Sequence, residues 1–235
     1  MQLERISRRR ARFLLAAAVA AAAFSAGTDL LAEPAASPGR NMSYYEVRRG
    51  LFAISKIESA PIVMLGDSLT EAGPWNDLTG CLQLANRGIG GDTTTKLRDR
   101  LDEVMALKPR AIFLMIGVND ITLNIPRETT LDNLRAILPR LTADGAEVFF
   151  SHVLPVTASY PKKRINGEIS ALNADIAKVV RDRPRVTLID VRPQLRGEDG
   201  YLRREFSYDG LHLTPKGYAV LRDAVAPHIA RYCTP

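Results

Sequence analysis

Five short, mostly apolar runs recur along the chain, at 62–65, 82–85, 111–116, 147–151 and 186–189. The runs are continuous rather than alternating, which is the pattern of strands buried on both faces. Stretches with helical spacing lie between them. The first, Tyr44 to Glu58, sets Tyr45, Val47, Leu51, Ile54 and Ile57 on one side. Further helices are expected over Thr93–Leu107, Thr129–Ala143, Gly167–Arg181 and Pro215–Tyr232. Thr214 and Pro215 supply an N-cap and a first-turn proline for the last one. Strands alternating with helices predict an α/β fold, a parallel sheet covered on both faces.

With 235 residues, the chain suits one domain plus a leader. Residues 1–25 hold five arginines against one glutamate, a surplus of four in a total charge of +6. The remainder carries +2, with no basic patch that calls for nucleic acid. A basic segment ending at Arg12, an apolar run from Phe13 to Phe24, and the small residues Ser25, Ala26 and Gly27 form the three parts of a secretory signal. The apolar run is short of the roughly 20 residues a membrane span needs. The expected division is a signal peptide over 1–27, a linker over 28–41 and a domain over 42–235, exported to a periplasm or outside the cell. No stable membrane insertion is expected once the leader is removed; left uncleaved, the leader is an anchor instead.

Ligands of open α/β sheets bind beyond the carboxyl ends of the strands. Four loops of that edge carry reactive or donor residues. Ser68 follows the first strand, in Gly66-Asp67-Ser68-Leu69. Gly91 lies in the turn after the second, Asn86 to Asp92. Asn119 follows the third, in Gly117-Val118-Asn119-Asp120. Asp209 and His212 share the loop before the last helix. A nucleophilic serine needs a base, a group that orients the base, and donors for an oxyanion. An aspartate three residues before a histidine can accept from one ring nitrogen and leave the other facing the serine. A glycine N–H approaches a substrate closely, and an asparagine amide is a neutral donor. Taken singly, each has an ordinary reading as a cap or turn residue. His152 is a cleft or structural histidine, and His228 a residue of the last helix. The glycines at 88, 90 and 91 lack the Gly-Lys-Ser/Thr ending of a nucleotide loop. Three scattered histidines and two cysteines offer no metal-ligand spacing, and no cofactor is expected.

Together, Gly-Asp-Ser-Leu (66–69), Gly-Gly-Asp (90–92), Gly-Val-Asn-Asp (117–120) and Asp-Gly-Leu-His (209–212) resemble the blocks of the SGNH/GDSL hydrolase family, in the family's order. Residues 86–94 and 211–218 resemble its platelet-activating-factor acetylhydrolase α-subunit-like branch. The resemblance implies a flavodoxin-like three-layer sandwich whose five-stranded parallel sheet has the order 2-1-3-4-5. It implies Ser68 as nucleophile, His212 as base and Asp209 as its orienter. The oxyanion donors it implies are the N–H groups of Ser68 and Gly91 and the side chain of Asn119. Thr70 stands where an α/β-hydrolase elbow needs glycine. The implied activity is a serine esterase acting on small-molecule or glycan esters with a short acyl group such as acetyl. Lysophospholipase or thioesterase action on longer chains is the alternative, and a non-catalytic carbohydrate-binding module the remote one. Selectivity is expected in residues 121–128, 152–166 and 191–208, with Trp75 and Tyr160 as candidate walls. Cys81 and Cys233 fall at the N-terminal edge of such a sheet, free to pair in an oxidising compartment or to stay as thiols.

Overall fold

The structure is a computed structural model and describes residues 41–162 and 164–233. The expected leader and nearly all of the linker lie outside the described residues. In chain order the elements are α1 (Tyr44–Ala53), β1 (Ile62–Gly66), α2 (Ser68–Glu71), α3 (Trp75–Thr79), β2 (Leu84–Gly88), α4 (Thr94–Arg98), α5 (Leu101–Met105), β3 (Ala111–Met115), α6 (Val118–Thr122), α7 (Arg127–Thr142), β4 (Glu147–Ser151), α8 (Ile165–Val180), β5 (Val186–Ile189), α9 (Arg192–Leu195) and α10 (Pro215–Ile229).

The strands form one parallel sheet in the order β2-β1-β3-β4-β5, as expected. Ile62 of β1 is in register with Leu84 of β2 and Ala111 of β3. Strand pleating sends alternate residues to opposite faces. Val63, Leu65, Ile112, Leu114, Val148 and Phe150 meet the apolar sides of α4, α5, α7 and α8. Ile62, Met64, Phe113 and Phe149 meet Trp75 of α3 and Leu221, Val225 and Ile229 of α10. Both faces of β1 and β3 are therefore dry, which is why their runs are apolar without interruption.

Several element boundaries differ from the sequence expectation. The first helix stops at Ala53, and its apolar stripe is uncovered: Val47, Leu51, Ile54 and Ile57 are all exposed. The second strand begins at Leu84, because Leu82 points into solvent, and it runs on through buried Arg87. The helix expected over 93–107 is two short helices. The break at Asp99 and Arg100 turns the Arg100 side chain inward, where none of it is accessible. Cys81 and Cys233 are joined in a disulfide with Cα atoms 5.9 Å apart, and Cys81 is fully buried. The bridge ties the end of α10 to the segment leading into β2, at the edge away from the C-terminal ends of the strands.

Candidate active site

β1 ends at Gly66, where a Cβ would stand 2.1 Å from the Met115 carbonyl oxygen of the neighbouring strand. Only glycine lets the chain turn there. Asp67 follows as N-cap of α2, accepting the Leu69 N–H at 3.0 Å. Its carboxyl is buried, which pushes its pKa up to about 7 against the pull of that bond. Ser68 is thus the first residue of a single helical turn, half-buried at the carboxyl edge of the sheet.

The Ser68 Oγ lies 2.9 Å from His212 Nε2. His212 Nδ1 lies 2.6 Å from Asp209 Oδ2, while Asp209 Oδ1 accepts the N–H groups of Leu211 at 2.9 Å and His212 at 2.7 Å. Partial burial pushes the Asp209 carboxyl up, but these bonds outweigh it and hold its pKa below the ordinary value. An ionised carboxylate takes only donors, so Nδ1 carries a proton. The Nε2 lone pair of the neutral ring is then free to accept from Ser68. The loop is braced: Ser207 Oγ donates to the His212 carbonyl at 2.8 Å and accepts the Gly210 N–H at 2.9 Å. Gly210 has φ +98°, and a Cβ there would stand 2.9 Å from Thr157 Oγ1. The loop after β4 therefore backs the loop that carries the histidine.

The donor loops close the other side. In the turn from Ile89 to Asp92, closed by Asp92 N–H to the Ile89 carbonyl at 3.1 Å, Gly91 sits third with φ +73°. Its N–H and that of Ser68 meet no acceptor among the described residues. Asn119, on α6, donates one amide hydrogen to the Asp92 carbonyl at 2.9 Å, leaving the second free. Arg100 stands behind the turn. It donates to Asp92 Oδ2 at 2.8 Å, to the Gly66 carbonyl at 3.2 Å and to the Arg87 carbonyl at 2.9 Å. One buried guanidinium thereby joins the ends of β1 and β2 to the glycine turn. Burial pushes Asp92 up to about 6, and Arg100 pulls against it. Asp120 is buried beside these groups and accepts from the Thr94 N–H and hydroxyl and from the Thr130 hydroxyl.

All five sequence-derived positions, Ser68, Gly91, Asn119, Asp209 and His212, fall on this edge. Asp120 enters the sequence reading only as the last residue of Gly117-Val118-Asn119-Asp120, and Arg100 and Glu71 belong to none of the four blocks. Arg100 reads in the sequence as the polar side of a surface helix, and only the helix break reverses that. Glu71 carried a signal, since an acid three residues after Ser68 shares its helical face. His152 is buried at the end of β4, its Nδ1 3.6 Å from Asp190; burial and then Arg192 push its pKa down. The His228 ring packs on Phe149 with centroids 4.5 Å apart. Trp75 is a core residue, its Nε1 donating to the Thr70 carbonyl at 2.7 Å. Tyr160 packs against Gly210. Among the described residues no group of His, Cys, Asp and Glu is arranged to hold a metal ion, and no helix is long and apolar enough to cross a membrane.

The model of the GDSL-like lipase/acylhydrolase family matches residues 64–220. The chain is 27% identical over 195 residues to platelet-activating factor acetylhydrolase IB subunit alpha1 of Bos taurus, covering 77% of this chain and 80% of that protein. A solved lipase/acylhydrolase from Enterococcus faecalis superposes with a TM-score of 0.63 at 26% identity, covering 75% of this chain and 98% of that one. A carbohydrate esterase of family 3 from Talaromyces cellulolyticus has the same fold, with a TM-score of 0.60 at 18% identity over 73% of this chain and 97% of that one.

Proposed function

The chain belongs to the GDSL-like lipase/acylhydrolase family and is a carboxylic ester hydrolase, and from that premise we propose that Ser68, His212 and Asp209 carry its chemistry. The observation that carries this reading is the hydrogen-bonded line from Ser68 Oγ through His212 to Asp209, 2.9 Å and 2.6 Å long.

As Ser68 Oγ attacks the ester carbonyl carbon, its proton passes to His212 Nε2. The carbonyl π electrons move onto oxygen. That oxyanion accepts from the N–H groups of Ser68 and Gly91 and from the free amide hydrogen of Asn119. Asp209 balances the imidazolium. The carbon–oxygen bond to the alcohol then breaks, and Nε2 returns its proton to the leaving oxygen. Water enters, gives a proton to His212 Nε2 and attacks the acyl carbon; the bond from that carbon to Ser68 Oγ then breaks, Nε2 returns the proton to Oγ, and the acid leaves. Each oxyanion donor contributes roughly 10²–10³ in turnover.

The acyl group is short, acetyl being the best fit, and the alcohol part is a small molecule or a glycan. The relatives named for acetylhydrolase activity support the first point. The protein is exported after cleavage near residue 27, residues 28–41 serve as a linker and 42–235 form the catalytic domain. The Cys81–Cys233 bridge supports an oxidising compartment, and N-terminal sequencing of the mature protein checks the cleavage.

The test is hydrolysis of p-nitrophenyl esters from acetate to decanoate by the wild type and Ser68→Ala. Activity that peaks at acetate or butyrate and vanishes in the variant is expected. A peak at octanoate or beyond overturns the short-acyl assignment. Activity retained without Ser68 overturns the triad.

A further inference from the structure

Arg100 holds the end of the turn that carries the Gly91 N–H, through the Asp92 carboxylate at 2.8 Å, but the two glycines before it have no side chain to hold them. Neither Gly90 nor Gly91 bears a Cβ, so the peptide between them rotates unless its neighbours fix it. On one side it is fixed by Asn119, through the Asp92 carbonyl. On the other side stands Glu71, the last residue of α2.

Glu71 Oε2 accepts the Gly90 N–H at 2.6 Å. Its Oε1 accepts the Tyr44 hydroxyl and pairs with Arg48 Nε at 2.8 Å. The carboxylate is largely shielded, with 16% of its side chain accessible. A Cβ placed on Gly90 would stand 3.1 Å from Glu71 Oε2, 3.4 Å from Tyr44 Cε1 and 3.8 Å from Ser68 Cβ. Nucleophile, carboxylate and tyrosine ring therefore converge on the residue just before the oxyanion donor. Tyr44 and Arg48 lie on α1, which precedes the 64–220 match to the family. α1 has no fully buried residue and is held by polar contacts, farther out by the Tyr45 hydroxyl on the Lys96 carbonyl at 2.9 Å and Arg49 on Glu103 at 3.2 Å, and at the site by Tyr44 and Arg48.

We infer that Glu71 is a positioning residue that aims the Gly91 N–H at the oxyanion, and that α1, through Tyr44 and Arg48, is the outer clamp that holds Glu71 in place. The inference rests on the proposed roles of Ser68 and Gly91. Glu71 sits on the same turn of helix as Ser68, so one rigid element sets both the attacking oxygen and the donor that receives the charge. The clamp acts on the transition state alone, because the carbonyl of bound substrate is not yet an oxyanion. Its loss therefore appears in kcat and leaves KM in place.

The experiment compares wild type, Glu71→Gln, Tyr44→Phe and Ser68→Ala on a short p-nitrophenyl ester. Thermal melting and the stoichiometry of fluorophosphonate labelling are measured alongside. In Glu71→Gln one carboxylate oxygen becomes a donor, so either the Gly90 N–H or the α1 pair loses its acceptor. The expected result is a kcat lowered roughly 10- to 100-fold with KM within about twofold, Ser68 still labelled and the fold intact. Tyr44→Phe keeps the ring and loses one bond to Oε1, and a smaller fall in kcat, about threefold or more, is expected. Wild-type kcat in Glu71→Gln, or a change confined to KM, overturns the inference while leaving the Ser68 reading intact. Should Glu71→Gln fail to fold, wild-type kcat in Tyr44→Phe overturns it equally. An active Ser68→Ala instead removes the reading on which the inference rests.

Discussion

Replacing Asp209 with asparagine separates its chemical part from its structural one. The Asp209 carboxylate makes three bonds, two to backbone N–H groups through Oδ1 and one to His212 Nδ1 through Oδ2. An asparagine has one acceptor and one donor and must choose. With its oxygen toward Leu211 and His212 N–H it keeps both backbone bonds, but its NH₂ then faces Nδ1. The ring answers by moving its proton to Nε2, which can no longer accept from Ser68. The opposite flip restores the working tautomer but sets an NH₂ against two N–H donors. The first arrangement wins by about one net hydrogen bond, ~1–3 kcal/mol. A charge-assisted contact to the imidazolium, normally ~1.5–3 kcal/mol, is lost as well. The pair is part-exposed, with 28% and 41% of the two side chains accessible, so the lower half of that range applies. The sum is about 4 kcal/mol, or roughly 10³-fold in kcat/KM. The assay is ester hydrolysis beside a melting curve, with an unchanged Tm expected because the loop keeps its backbone bonds. Activity within tenfold of wild type would refute the tautomer argument. A collapsed Tm would show that Asp209 serves the loop and not the ring.

Two further outcomes follow from the core and from the edge. The Cys81–Cys233 bridge spans 152 residues, and removing a native link of this kind costs about 2–5 kcal/mol. Cys81→Ala with Cys233→Ala should therefore melt roughly 5–15 °C lower with kcat unchanged, since the bridge is remote from Ser68; an unchanged Tm would count against it. Asp67, at about 7 in the fold against an ordinary 3.8, binds its proton more tightly folded than unfolded. Its contribution is full below the unfolded value and is lost as pH rises through the folded one. Asp67→Asn keeps the acceptor for Leu69 and has nothing to ionise. The wild type should lose ~2–3 kcal/mol more than the variant between pH 5 and pH 8, read as diverging Tm curves; parallel curves would contradict the burial argument.

The sheet could be read from the chain because its central strands are buried on both sides and so write themselves as unbroken apolar runs. β1 and β3 were placed within a residue for that reason. β2 was not, since its second half is Asn86-Arg87-Gly88 and the charge of Arg87 hides a buried position. The catalytic loops were readable because the chemistry demands particular residue types at strand ends. What stands behind them was not. Arg100 is recognisable as a core residue only after the chain breaks at Asp99, and no periodicity announces that break. The exposed apolar stripe of α1 misled in the opposite sense, since helical spacing reports a side that could be buried, not one that is.

α1 starts beside the glycine turn, at Tyr44, and the described chain leaves on the far edge, where Cys233 is locked to Cys81. The head of α1 and the segment after α10 are therefore not equivalent as handles. Coupled to a bead or fused to a carrier through its C-terminus, the domain stands with its back to the support and its mouth toward the medium, and the disulfide takes the strain of the linkage. Attached instead at the head of α1, beside Tyr44, it meets the support mouth first, and bulky polymeric esters are excluded before small ones.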